Sequence, residues 1–253
     1  MHPIAIALIV FVCAFGGALF GLFLGRVLPE HHLSAESKDA VKLVTGMIAT
    51  LSALVLGLLV SSAKSSFDTV GEELRQTATQ VILLDRVLGQ YGSETKEIRA
   101  LMRREYAAKV EQIFSPDQSE RLKVIEPQRA DPVEEVESRI WELKPGTDAQ
   151  RGLQARALRI GGELARTHWL LIEHAGSSIP VPFLAVLVSW LAAIFAAFGL
   201  FAPRNATTIT ALFIGALSVS TAIFLIEALD RPLDGLMSMS SAPMRNALEH
   251  LGK

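Results

Sequence analysis

Four stretches of this chain carry no charged residue: Ile4 to Gly25, Leu43 to Ala63, Ala175 to Pro203 and Asn205 to Leu225. A helix needs roughly 20 apolar residues to cross a bilayer core. Each stretch is long enough, and each carries Leu, Val, Ile or Phe through its middle. They are read as four transmembrane helices. The first lacks the basic leader and the small-x-small cleavage site of a signal peptide, and Val10-Phe11-Val12 is unlike the small residues that precede a lipidated cysteine. It is therefore expected to be a retained helix.

The segment between the second and third stretches is a different material. Residues 65–178 hold 16 of the 24 Lys and Arg residues. Leu74, Thr77, Val81, Leu84 and Leu88 recur at steps of three and four. After Gly89-Gln90-Tyr91-Gly92 the stripe resumes as Ile98, Met102, Tyr106, Val110 and Ile113. A third stripe runs Leu153, Ala157, Ile160, Leu164, His168 and Leu171. Such spacing is that of amphipathic helices packed on one another or on a partner. Between them, Pro116, Pro127, Pro132 and Pro145 mark a loop, with a short helix expected around Val133 to Trp141. The fold class expected is an all-α integral membrane protein: four transmembrane helices with a helical cytoplasmic domain inserted between helices 2 and 3. The boundaries drawn are 1–64 and 179–229 for the helix pairs, 65–178 for the inserted domain and 230–253 for a cytoplasmic tail.

Charge sets the orientation. The loop between the third and fourth stretches has one basic residue, Arg204, whereas the central domain is rich in them. Short loops follow a positive-inside bias. With four crossings, the central domain and both termini share a side, which is taken as cytoplasmic. The formal net charge of −2 gives no reason to expect nucleic acid. Cys13 stands alone within an apolar helix, so no disulfide or CxxC site is expected, and no cofactor or metal. HExxH, GxSxG and paired intramembrane carboxylates are absent from the sequence, so an enzyme is not expected. His168 and His174, flanking Trp169, are six apart and do not share a face as i and i+4 would. Gly161-Gly162 has no GxGxxG context and is read as a bend or a close approach.

Within the membrane, small residues on one stripe let backbones approach. The first helix has Cys13, Gly17, Gly21 and Gly25 at steps of four; the third has Ala185, Ser189, Ala193 and Ala197. Either stripe could hold the four helices together or join subunits. On the second helix, Thr45, Ser52, Leu56, Leu59 and Ser62 share a face, with Ser66 below. Hydroxyls around an apolar constriction suit a pore gated by dewetting; the same hydroxyls could instead bond to neighbouring helices. The fourth helix ends in Glu227, Asp230, Arg231 and Pro232. Proline should stop the helix near Asp230, and acids at a helix C-terminus oppose its dipole. A basic partner would remedy that, with Arg231, Arg166 or Lys64 as candidates; a solvated helix end is the plain alternative.

Several segments together resemble the bestrophin-like membrane-protein family of bacteria. They are Leu54 to Asp68 (LVLGLLVSSAKSSFD), Leu84 to Gly92 (LDRVLGQYG), Ile179-Pro180, Trp190, the turn Phe198-Gly199-Leu200-Phe201-Ala202-Pro203-x-Asn205, and Leu229 to Gly235 (LDRPLDG). The pattern departs at Leu233, where the family usually has an aromatic, and at Ala228, where it often has an acid. The resemblance implies a relation to bestrophins, pentameric anion channels with four membrane helices per subunit, cytoplasmic termini and an apolar neck on the second helix. By that implication the chain is a homo-oligomer in a bacterial inner membrane, its partners are the bilayer and inorganic anions, and Leu56 and Leu59 are gate residues. The aromatic-rich neck of bestrophins is absent from the second helix. Two functions follow as expectations: an anion channel, or a non-conducting scaffold or sensor working through the helical domain. The second predicts that the polar face of the second helix is buried within one subunit.

Overall fold

The computed structural model describes residues 3–29, 34–115, 132–174, 179–230 and 239–253. Every regular element among them is helical: α1 (Pro3–Val27), α2 (Ala35–Tyr91), a 3-10 turn (Ser93–Thr95), α3 (Lys96–Ile113), α4 (Pro132–Trp141), α5 (Asp148–His174), α6 (Val181–Phe201), α7 (Ala206–Leu229) and α8 (Ala242–His250). Four of these, α1, α2, α6 and α7, are long and apolar enough to cross a membrane. The chain divides into two compact units: Met1–Ser66 with Ser177–Asp230, and Phe67–Gly176 with Arg231–Lys253.

In the first unit α1 and α6 meet backbone to backbone. A Cβ on Gly17 would lie 2.6 Å from the Ala192 carbonyl oxygen, and one on Gly25 2.7 Å from that of Leu200. A Cβ on Gly21 would collide with the Ala196 carbonyl, and one on Gly199 with the Ala18 carbonyl. Only glycine fits at these crossings. On the α6 side of this seam the small-residue stripe at Ala185, Ser189 and Ala193 is not the one in contact. Ala185, Ser189 and Ala193 lie on the exposed face of α6, and the Ser189 hydroxyl donates to the Ala185 carbonyl of its own helix at 2.8 Å. The contact falls on the neighbouring ladder, Ala192, Ala196 and Leu200. Both ladders step by four and both carry small residues, so periodicity alone does not choose between them; the glycines of α1 do.

α7 adds to α1 through one polar and one aromatic contact. The Ser220 hydroxyl donates to the Ala7 carbonyl at 2.6 Å. Phe213 stands edge-on to Phe11 and Phe15, with ring centroids 5.4 and 5.5 Å apart, an arrangement the ring quadrupoles favour. The turn from α6 to α7 follows its residues. Ala202 is extended before Pro203, and Asn205 caps α7 by accepting the Thr208 amide at 2.8 Å, which satisfies one of the free amides of a helix start.

The second unit buries the three expected stripes in one core, with Leu74, Val81, Leu84 and Leu88 of α2, Met102 and Val110 of α3, and Ala157, Ile160 and Leu164 of α5 among its members. Gly92 makes the α2–α3 turn at φ 142°, where a side chain would be strained, and the Thr95 hydroxyl reaches the Leu88 and Gly92 carbonyls. Arg99 holds the buried Asp85 through two parallel bonds of 2.8 Å, and this pairing raises the Arg99 pKa further above its ordinary value. The same carboxylate accepts the Gly252 amide at 3.1 Å. That contact comes just after a helix, α8, that the expected tail did not include. α8 buries Met244 and Ala247, and Leu251 just beyond its end, in the core of this unit. Their spacing of three and four was the available sign.

Candidate functional site

The membrane part of α2 differs from its neighbours. In its apolar window 11% of the residues are buried, against 28% in each of α1, α6 and α7. The buried ones form a single stripe. Thr45 and Ser52 are buried, and Leu59 and Ala63 pack with Ile6, Val10, Leu187, Ile223 and Ile226. Leu56 is half-buried against the same cluster. Ser62 is exposed and Ser66 half-buried. Four of the five residues expected to line a path thus face the rest of this chain, and Ser62 alone is open.

The opposite face of α2 is open along its length. Leu43, Met47, Leu54 and Leu58 are 73%, 68%, 67% and 64% exposed. Thr50, Gly57 and Ser61 share that side and are also exposed. A hydroxyl on a membrane helix gains by facing protein, where it can meet a backbone carbonyl, as Ser220 does. Ser52 does not complete that gain, since its hydroxyl is buried without a hydrogen-bond partner among the described residues.

The acids at the end of α7 are enclosed. Glu227 is 4% exposed and Asp230 0%, so a solvated helix end does not describe them. Each takes part in a polar interaction, as does Lys64. The helix stops at Leu229, with the Asp230 amide donating to the Ile226 carbonyl at 2.9 Å. Arg166 stays on the exposed face of α5. Arg231 lies outside the described residues. Buried carboxylates are tolerated only when their charge is compensated or given up, so this helix end is a built feature of the fold. No cluster of three or more His, Cys, Asp or Glu side chains suited to a metal occurs among the described residues.

Comparison with known proteins places this arrangement. Crystal structures of a bacterial bestrophin homolog from Klebsiella pneumoniae superpose on it, one with a TM-score of 0.67 at 14% identity, covering 99% of this chain and 98% of that one. Another gives 0.64 at 14% identity over 97% and 99%. At this identity the likeness concerns the fold, which spans nearly the full length of both chains. No functionally curated protein matches the chain. The family model described as bestrophin-like domain matches residues 12–244, from α1 into α8. The chain belongs to the bestrophin-like family.

Proposed function

We propose that this protein is a subunit of an oligomeric channel for small inorganic anions, without enzymatic activity, in a bacterial inner membrane. The observation that carries the reading is the open face of α2, joined to membership of the bestrophin-like family. Assembly of several copies around an axis, five by analogy with bestrophins, would turn this face toward a common path. Leu54 and Leu58 then form an apolar constriction with Thr50 above and Ser61 below, a pattern that gates by dewetting. In this reading Thr45, Ser52, Leu56 and Leu59 support the path from behind. The second unit and both termini lie on the cytoplasmic side, as the basic residues favour.

One observation favours the non-conducting scaffold or sensor. That reading expects the polar face of α2 to be buried within a subunit, and Thr45 and Ser52 are buried. Chloride release from liposomes separates the two. The channel reading expects flux that rises at least tenfold in Leu54→Ala/Leu58→Ala. Correctly inserted protein that passes no chloride in wild type or variant would leave the scaffold reading.

A further inference from the structure

In the second unit, α2, α3, α4, α5 and α8 together line a partly open cavity of about 60 Å³. Its floor is apolar and buried, with Leu84, Met102, Ile140, Leu164 and Met244. Its rim is polar and half-buried, with Thr77, Glu105, Lys109, Glu137 and His168. Gly161 borders the same space. A Cβ there would touch nothing within 4 Å. A mid-helix glycine weakens a helix relative to alanine, and here no packed neighbour requires it. What the missing side chain preserves is the space.

Tyr106 lines the cavity and is 6% exposed, and its hydroxyl has no hydrogen-bond partner among the described residues. Burial pushes it far above the ordinary phenol range, so it stays a protonated donor. A buried donor left unmade is costly, and an acceptor entering the cavity would complete it. The rim carries both signs. Lys109 donates to a ring nitrogen of His168 at 2.9 Å, Glu105 pairs with Arg104 at 3.1 Å, and Glu137 is a second acid. That mixture offers no net attraction to a charged ligand. The volume is well below the ~150 Å³ cavity that takes benzene, which restricts the ligand to a few heavy atoms.

We propose that this cavity binds a small uncharged, largely apolar molecule carrying one hydrogen-bond acceptor, of the short-chain ketone class, with the Tyr106 hydroxyl as donor. The site lies wholly within the second unit, and its occupancy is read without any ion flux. The test is saturation-transfer NMR on the full-length protein in detergent, with 2-butanone as probe. Wild type should bind saturably. Tyr106→Phe should weaken binding about fivefold, the worth of one neutral hydrogen bond, while leaving the melting temperature of the free protein unchanged or raised. Gly161→Leu should fill the space and abolish binding; if it does not fold, Gly161→Ala, whose Cβ meets open space, should weaken it. Absence of saturable binding to wild type would overturn the proposal, as would binding unchanged by the glycine and tyrosine substitutions.

Discussion

Two parts of the membrane unit treat their surfaces in opposite ways. Where α1 meets α6, four glycines bring backbones into contact and leave no room for a methyl group. Along α2, large apolar side chains stand free on one whole side. The closed seam fixes α1 against α6. The open face is what the membrane unit can offer to something else, whether lipid, water-filled path or second copy. The lesson is that in a bilayer the polarity of a helix face does not tell which way it points. Apolar residues lose little by facing lipid, whereas hydroxyls gain by facing protein.

That comparison can be broken most sharply at Gly21. A side chain there must displace the Ala196 backbone, and overpacking of this kind costs about 3 kcal/mol. Gly21→Leu should therefore lower the thermal transition in detergent by many degrees, whereas Ala193→Leu, on the exposed side of α6, should change it by less than about 0.5 kcal/mol. Equal effects would mean that the seam is not the closed region. Next in size is the end of α7. Asp230→Asn and Glu227→Gln each change a buried carboxylate, and a loss of about 2 kcal/mol is expected in denaturation, within the range for buried hydrogen bonds to charged groups. Neutral substitutions would mean that neither charge is used.

Smaller effects sharpen the two sides of α2. Leu59→Ala removes packing without a water-transfer term, because the reference is lipid, so the loss should be about 1–2 kcal/mol. Leu54→Ala should leave subunit unfolding unchanged. Ser52→Ala deletes a buried hydroxyl that has no partner among the described residues, and stability should be unchanged or slightly raised, by at most about 1 kcal/mol. A clear loss would show that Ser52 has a partner in the assembled state.

The helices themselves were legible because their signals are long and strongly periodic. The charge-free stretches gave α1, α2, α6 and α7, and Gly92 marked the α2–α3 turn. The short helix after Pro132 was legible too. The α8 helix is hard to read from sequence because a nine-residue segment that buries only Met244 and Ala247 resembles a tail. Facing within the membrane was the least legible property. Small residues occupy two adjacent ladders of α6, and hydroxyls lie on both sides of α2, Thr45 and Ser52 inside and Thr50 and Ser61 outside, so both facings depend on partners that a single sequence does not display. The acids at Glu227 and Asp230 were legible as anomalous, since they oppose the helix dipole. Their burial was not, because it follows from how α7 meets its neighbours.

The central claim of the proposed channel is that the open face of α2, and not the stripe of Thr45 and Ser52, meets water in an assembly of copies. The direct measurement is thiol modification in liposomes. Single cysteines would be placed at Leu54, Leu58, Ser52 and Leu59 in a Cys13→Ser background, and a charged methanethiosulfonate added from the aqueous side. Thiols react as thiolates, which need water. The account predicts fast labelling at 54 and 58, with altered chloride flux, and protection at 52 and 59. Fast labelling at 52 and 59 with protection at 54 and 58 would contradict it.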